Sequence, residues 1–213
     1  MDSPTSTGAY YDGALYARLV EPLVAALHDL VADSIPPGST VLDACSGTGG
    51  LAFALASRCK TVVGVDLSPR MVAFAEAERA RRDVRNLRFE VGDASRLDGF
   101  EDRSFDHATV VMGLHEMPSA VRGRVLPALA RVAERVVAVD FAPRLRLNPA
   151  GIRNRIVELL AGPRHFAGFR DFMRRGGLPP LIAEAELRAE RHGVADAGNL
   201  DIYTLVSASP SRA

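Results

Sequence analysis

One segment combines a carboxylate with a glycine-rich loop, a pairing typical of ligand-binding sites. It reads VLDACSGTGG over residues 41–50, where Asp43 ends a run of branched apolar residues and Gly47, Gly49 and Gly50 follow. Glycines let a backbone approach a ligand closely, and a helix beginning after such a loop points its N–H groups at the ligand. A carboxylate at the same edge repels phosphate. The segment therefore predicts a ligand that is not simply a phosphate.

A nicotinamide dinucleotide is one alternative for this loop. The loop that binds such a ligand reads G-x-G-x-x-G, but here Gly47 and Gly49 are followed by Ala52 at the third position. Asp43 would also place a carboxylate against two phosphates. A ligand with an ammonium group removes the conflict, because Asp43 can bind the cation directly or through water. A nicotinamide oxidoreductase stays open as an alternative, which titration with NADH would test.

The motifs from residue 39 to 116 resemble those of the class I S-adenosylmethionine-dependent methyltransferases. That family begins with an acid and a glycine-rich loop, and Cys45 stands here at the position of the first glycine. This substitution is mild if Cys45 holds the turn without a positive φ. The chain looks most like the ubiquinone and menaquinone methyltransferases, through YYDGALY, VVGVDLSPRMV and GDASRLDGFEDRSFDHA. The Pro-Gly-Gly turn usual before their fifth strand is replaced by ARVAERVVAVD.

The resemblance implies S-adenosylmethionine as cofactor and S-adenosylhomocysteine as product. It implies that Asp43 binds the amino group, that Asp66 accepts hydrogen bonds from the ribose hydroxyls, and that Asp93 lies beside the adenine amino group. Leu67 and Met71 would flank the adenine ring. The full set of predicted cofactor contacts is Tyr11, Asp43, Ala44, Cys45, Gly47, Asp66, Leu67, Met71, Asp93, Ala94 and Met112.

The predicted catalytic residue is His115, which follows the fourth strand in GLHEMP. Methyl transfer from a sulfonium depends mainly on in-line alignment, which contributes up to roughly 7–11 kcal/mol. A base is needed only when the acceptor must lose a proton, and an imidazole with an unperturbed pKa of about 6.5 can act as that base. The alternative is that His115 caps a helix or packs beneath the cofactor. The predicted substrate contacts are Tyr10, Glu116, His165 and Arg170.

The elements that position these residues alternate between strand and helix. Predicted strands such as VVGV, ATVVM and VVAV are apolar at consecutive positions, as expected when helices cover both faces of a parallel sheet. The last two strands, 187–194 and 200–207, lie close enough in sequence to pair only as antiparallel neighbours. We therefore predict a Rossmann-like, doubly wound α/β fold. Its seven-stranded sheet is mostly parallel with an antiparallel last strand, and helices pack on both faces.

We expect one domain over residues 1–213. Residues 142–186 are predicted as a helical lid in which arginines alternate with Phe166, Phe169 and Phe172, and it could cover an apolar substrate with an anionic group. The alternatives are a solvated basic face with its aromatic residues in the core, and a peripheral membrane surface for a lipid acceptor. The other predicted parts are an N-terminal cap segment and helix, 1–35, a cofactor-binding core, 39–141, and a terminal strand pair, 187–208.

Composition restricts the partners. The formal net charge is zero, which predicts a small-molecule acceptor and no nucleic acid. Cys45 and Cys59 have no cysteine or histidine at ligand spacing, so we predict no metal site. The absence of a leader pattern and of a long apolar run predicts a cytoplasmic protein. A cofactor-binding regulator without turnover is the remaining alternative, and the sequence does not indicate an oligomeric state.

Overall fold

The computed structural model describes residues 21–208, with side chains from residue 24 onward. Seven strands and seven α-helices alternate over most of this range. The strands are β1 (Thr40–Ala44), β2 (Thr61–Asp66), β3 (Leu87–Val91), β4 (Phe105–Val111), β5 (Ala133–Phe141), β6 (Leu187–Ala195) and β7 (Leu200–Ser207). The helices are α1 (Glu21–Ser34), α2 (Gly50–Ala56), α3 (Pro69–Arg81), α4 (Ser119–Val132), α5 (Pro149–Leu160), α6 (Pro163–Arg174) and α7 (Leu178–Glu184).

The strands form one sheet in the order β3-β2-β1-β4-β5-β7-β6. β7 pairs antiparallel with both β5 and β6, whereas the pairs among β1 to β5 are parallel. The predicted fold class is confirmed. The strand order reverses between β1 and β4, and in an open α/β sheet ligands bind in the crevice at the carboxyl ends of the strands flanking such a point.

The apolar runs explain why β1, β4 and β5 occupy the middle of the sheet. Val41 and Leu42 in β1 and Ala108 and Val110 in β4 are fully buried, since helices cover both faces there. Each buried valine or leucine stabilises the fold by about 1.5–3 kcal/mol relative to an exposed one. The carboxyl ends of these strands are consequently held rigidly, and they carry the polar residues.

Helix α5 is anchored to the turn between β6 and β7 by amide side chains. Asn148 caps the helix by accepting a hydrogen bond from the Gly151 N–H at 2.8 Å. The buried Asn199 side chain donates to Asn148 Oδ1 at 3.0 Å and accepts from the Arg146 N–H at 2.8 Å. A Cβ atom on Gly151 would lie 2.1 Å from the Arg146 carbonyl oxygen, so the helix can approach this closely only with glycine there.

Helix α6 is held against the loop after β4 by the guanidinium of Arg122, whose side chain is 1% exposed. Arg122 donates to the Leu114 carbonyl at 2.8 Å, to the Met117 carbonyl at 2.7 Å and to the Gly168 carbonyl at 3.2 Å. It also forms an ion pair with Asp171 at 3.1 Å. One buried cation therefore joins α4, α6 and the loop that carries His115.

Replacing Arg122 with methionine is expected to destabilise the protein by about 2–4 kcal/mol, because methionine fills much of the space but leaves buried carbonyl oxygens without donors. Arg124→Met, on the exposed side of the same helix, is the control and should cost less than about 0.5 kcal/mol. Urea unfolding measures both. Equal stability of the two variants would contradict this role for Arg122.

Candidate active site

The glycine loop is tied to the end of β2. The Gly47 N–H donates to Asp66 Oδ2 at 2.9 Å, and the Ser46 N–H donates to the Val65 carbonyl at 3.1 Å. Gly47 has a φ of 54°, and within the described part of the chain no atom beyond its immediate neighbours lies within 4 Å of the place where its Cβ would be. The loop thus leaves open space beside its backbone, as the predicted ligand contact requires.

Asp66 is placed where a ribose contact needs it, at the carboxyl end of β2. Its Oδ1 accepts a second backbone hydrogen bond, from the Ser68 N–H at 2.8 Å. Burial raises the pKa of Asp66, an effect that these backbone hydrogen bonds only partly counteract. Each carboxylate oxygen keeps a second lone pair that can accept a hydroxyl proton. The ribose contact itself stays a prediction.

Asp43 lies deeper in the fold than Asp66. It is inside β1, and only 2% of it is exposed. Its Oδ1 accepts a hydrogen bond from the Thr109 hydroxyl at 2.6 Å, across the β1–β4 pair in which these two residues face each other. Thr109 was not predicted as a site residue, since only the strand register brings it to Asp43. The contact of Asp43 with an amino group remains a prediction.

Cys45 adopts the left-handed conformation of the glycine that it replaces, with a φ of 59°. The condition set for a mild substitution, a turn without positive φ, is therefore not met. A Cβ on Gly113 would lie only 2.9 Å from that of Cys45, so the two loops are in close contact and the glycine leaves room for the Cys45 side chain. Burial, together with the charges of Asp66 and Glu116, holds the pKa of the thiol well above its usual value, so Cys45 stays a neutral thiol.

The residues predicted around adenine divide into exposed and buried ones. Leu67 is 68% exposed at the end of β2, which leaves an apolar surface that an adenine ring could cover. Asp93 is half-buried and accepts a hydrogen bond from the Ser95 N–H at 2.8 Å. Met71 and Ala94 are buried. The glycine cradle, Asp66 and this exposed leucine fit S-adenosylmethionine.

His115 belongs to a buried chain of acids and imidazoles behind the loop after β4. Its Nδ1 lies 2.8 Å from Asp140 Oδ1, and its Nε2 lies 3.5 Å from Glu158 Oε2. His165 Nε2 lies 2.6 Å from the same Glu158 oxygen, and its Nδ1 lies 3.6 Å from Glu116 Oε2. Three carboxyl groups therefore alternate with two imidazoles.

The carboxyl groups favour positive charge on both imidazoles. Burial opposes a charged His165, but hydrogen bonds and charges from Glu116 and Glu158 outweigh it and raise the pKa of His165 to about 10. Burial also opposes a charged His115. The charge and hydrogen bond of Asp140 outweigh that effect and raise the pKa of the His115 imidazole. The cluster is thus built to hold positive charge.

A cavity of about 340 Å³ opens next to this cluster. His115, Glu116 and Met112 form part of its wall, so the predicted base and one predicted substrate residue do lie together. The rest of the wall is mostly apolar and comes from α1, β5, α5 and the β6–β7 turn. Its further lining residues are Val24, Ala26, Leu27, Leu30, Phe141, Arg153, Asn154, Val157, Glu158, Ala195, Asp196 and Leu200.

The other predicted substrate residues are placed differently. His165 is buried behind Glu158, while Arg170 is exposed on α6, with its guanidinium 5.9 Å from the centre of the Phe166 ring. Tyr10 and Tyr11 lie outside the described residues. The sequence analysis assigned no role to Glu158 or Asp140, although Asp140 ends the apolar run VVAVD in the same way that Asp66 ends VVGVD.

Comparison with known proteins assigns the core of this chain to a family. Residues 41–135 match the family described as methyltransferase domain. The demethylmenaquinone methyltransferase of Beutenbergia cavernae is 41% identical over 109 residues, covering 50% of this chain and 42% of that protein. Homolog A of the tRNA (uracil-5-)-methyltransferase of Mus musculus is 32% identical over 127 residues, 59% of this chain and 20% of that protein. The matches thus span less than half the length of these relatives.

Solved structures show the same fold over a longer range. A S-adenosylmethionine-dependent methyltransferase from Aquifex aeolicus has a TM-score of 0.68 at 17% identity, covering 92% of this chain and 98% of the other. Magnesium protoporphyrin IX methyltransferase from Synechocystis, with bound S-adenosylhomocysteine, has a TM-score of 0.57 at 22% identity, covering 97% and 90%.

The fold is that of the class I, S-adenosylmethionine-dependent methyltransferases. Residues 41–135 of this chain match the methyltransferase domain family, and the solved structures with the same fold include an enzyme named for S-adenosylmethionine and one with bound S-adenosylhomocysteine. These matches support the predicted class of enzyme and the predicted cofactor. Among residues 21–208, the structure has no helix both long and apolar enough to cross a membrane.

Cys45→Gly tests whether the turn demands a left-handed residue. Glycine removes backbone strain of about 1–2 kcal/mol but adds freedom worth about 0.4–1 kcal/mol to the unfolded chain, so stability should change little. Cys45→Val should be destabilised by more than about 1 kcal/mol, because a β-branched side chain is a genuine outlier at this φ. Thermal unfolding compares the variants, and a valine variant as stable as the parent would exclude the positive φ at this position.

Proposed function

We propose that this protein transfers the methyl group of S-adenosylmethionine to a small-molecule acceptor bound in the 340 Å³ cavity. The observation that carries the proposal is the position of that cavity, whose wall includes Met112, His115 and Glu116. The neighbouring Gly113 packs on Cys45 of the glycine loop, so the cavity adjoins the predicted cofactor site. We further propose a cytoplasmic location.

The residues of the chain supply binding and alignment. S-adenosylmethionine, when bound, supplies a methyl group on a sulfonium, which needs no further activation. Asp66 and the Gly47 backbone would hold the ribose and the methionine part, and Asp43 would attract the amino group. Asp140 fixes the His115 ring through Nδ1, which directs Nε2 toward Glu158 at the cavity wall. Above the raised pKa of His115, where the imidazole is neutral, its Nε2 can take a proton from an acceptor that must lose one.

Asp66→Asn is expected to weaken S-adenosylhomocysteine binding about tenfold or more, because hydrogen bonds to a charged group contribute about 1.5–3 kcal/mol. Asp98→Asn, at an exposed ion pair with Arg96, is the matched control and should bind normally. Calorimetric titration measures both.

A double-mutant cycle separates a ribose contact of Asp66 from its contacts with the loop. The parent should bind a deoxyribose analogue of S-adenosylhomocysteine more weakly than the ribose form, whereas Asp66→Asn should discriminate little between them. Equal discrimination by the two proteins would mean that Asp66 holds only the loop.

The acceptor is best sought among apolar small molecules, because the cavity wall is mostly apolar. The Beutenbergia relative is named for demethylmenaquinone, which makes that quinone the first acceptor to assay. The exclusion of nucleic acid stays a prediction. Because the mouse relative is named for tRNA, a tRNA transcript belongs in the same assay. Transfer of labelled methyl to any acceptor distinguishes an enzyme from a cofactor-binding regulator.

A second observation favours an acceptor presented at a membrane surface. The outer face of α5 exposes Ile152, Ile156, Leu159 and Leu160, each by half or more, while Glu158 and Val157 line the cavity. Arg155 is also exposed on this helix. An exposed apolar stripe with basic neighbours is typical of helices that lie in the surface of an anionic bilayer. We propose that α5 makes this contact.

The double variant Ile156→Glu/Leu160→Glu should co-sediment with anionic liposomes about tenfold less than the parent, because it loses buried apolar area. Ala77→Glu/Ala80→Glu, on exposed positions of α3, adds the same charge elsewhere and should bind nearly as the parent does. If both double variants lose binding equally, net charge and not α5 determines the attachment.

A further inference from the structure

Both histidines of the buried cluster present the same nitrogen to one carboxylate. His115 Nε2 and His165 Nε2 both approach Glu158 Oε2, at 3.5 Å and 2.6 Å. The other nitrogen of each ring faces a different acid, Asp140 for His115 and Glu116 for His165. In metal sites a ligating histidine almost always donates its second ring N–H to a carboxylate, carbonyl or water, which fixes the tautomer and orients the ring.

The spacing of the three inner groups is close to that of a tetrahedral metal site. Bonds of about 2.0–2.2 Å to zinc place neighbouring ligand atoms about 3.3–3.5 Å apart. The separation of His115 Nε2 from Glu158 Oε2 already has this value. One nitrogen of each histidine and one oxygen of Glu158 lie within 4.8 Å of one another, so a small opening of the His165–Glu158 pair would complete the geometry.

We propose that His115, His165 and Glu158 form a binding site for a divalent transition-metal ion of the zinc class. Two imidazoles and one carboxylate suit such an ion, whereas Mg²⁺ and Ca²⁺ prefer oxygen ligands. A dication also balances the three acids of the cluster. Glu158 and His115 belong to the cavity wall, so a fourth position would face the cavity.

The ligands are held in place before any ion binds. A Cβ on Gly168 would lie 2.7 Å from the Glu116 carbonyl and 2.9 Å from that of His115, so α6 packs directly on the loop. Arg122 bonds to both segments, as described above. Such preorganisation reduces the ordering that metal binding requires. The sequence shows no metal-ligand spacing because the three ligands come from a loop and two different helices.

The proposal rests on the proposed function, because the ion would serve to hold an oxygen, nitrogen or sulfur atom of the acceptor in the cavity. A bound ion would use the lone pair of His115 Nε2, so His115 would act in that state as a ligand and not as a base. The ion would then position the acceptor opposite the methyl group, which is the contribution that methyl transfer needs most.

The test is metal binding by the chelator-treated full chain. We expect one Zn²⁺ per chain in equilibrium dialysis with mass-spectrometric metal analysis, a higher unfolding temperature with Zn²⁺, and no effect of Mg²⁺. Co²⁺ should give the visible absorption of a four- or five-coordinate site. Absence of stoichiometric Zn²⁺ binding overturns the proposal and identifies the cluster as a proton-sharing network.

The variants His165→Gln and Glu158→Gln should each bind Zn²⁺ at least about 100-fold more weakly, and Glu116→Gln, behind a ligand, about tenfold more weakly. His192→Gln removes an imidazole that pairs with Asp201 on the far strands, and it should bind as the parent does. Circular dichroism of the metal-free variants monitors folding. If a ligand variant does not fold, the Zn²⁺ affinity of Glu116→Gln decides the test. Unchanged affinity in all three cluster variants means adventitious binding elsewhere and overturns the proposal.

Titration with S-adenosylhomocysteine separates this proposal from the proposed function. Binding of the nucleoside without binding of Zn²⁺ overturns the metal site alone. Binding of Zn²⁺ without binding of the nucleoside supports the metal site and overturns the methyltransferase function.

Discussion

The site depends first on the carboxylate of Asp140, which is completely buried at the end of β5. Its two oxygens accept hydrogen bonds from the backbone of Leu114, His115 and Phe141 and lie against His115 Nδ1, at distances between 2.8 and 3.1 Å. Neutralising a buried charge in this way is what makes its burial tolerable. The consequence is that the loop after β4 is fixed to β5, so the His115 ring has one orientation and the cavity has a rigid wall.

The sequence predicted the parts of this arrangement that are encoded locally. Strands apolar at consecutive positions indicated a buried parallel sheet, and acids ending those strands indicated where Asp66 and Asp93 would lie. The strand that contains VVAV is longer than that apolar run, because β5 begins at Ala133, which pairs with Phe105 at the foot of β4. Pro127 is accommodated inside α4 although proline lacks the N–H of a helix hydrogen bond.

Contacts between distant segments were beyond prediction from spacing. Thr109 reaches Asp43 only through the register of β1 with β4, and Glu158 meets His115 only because α5 is anchored by Asn148 and Asn199. Arg122 reads as an ordinary exposed arginine of an amphipathic helix, since nothing local shows that three carbonyl groups will surround it. Cys45 has a positive φ that cysteine does not favour by itself, because the loop around it imposes this conformation.

The difference between locally encoded strand ends and contacts between distant segments also determines which parts of the site a family match contains. The family match ends at residue 135, so it contains the glycine loop, Asp66, Asp93 and His115 but neither Asp140 nor Glu158. The cavity wall draws on α1, Phe141, α5 and the β6–β7 turn, all outside the matched range. The strand ends predicted to contact the cofactor can persist with the sheet, whereas the cavity proposed for the acceptor is lined largely by helices whose sequences are free to vary. The relatives therefore support the proposed methyl donor, whereas the acceptor must be inferred from the cavity of this chain.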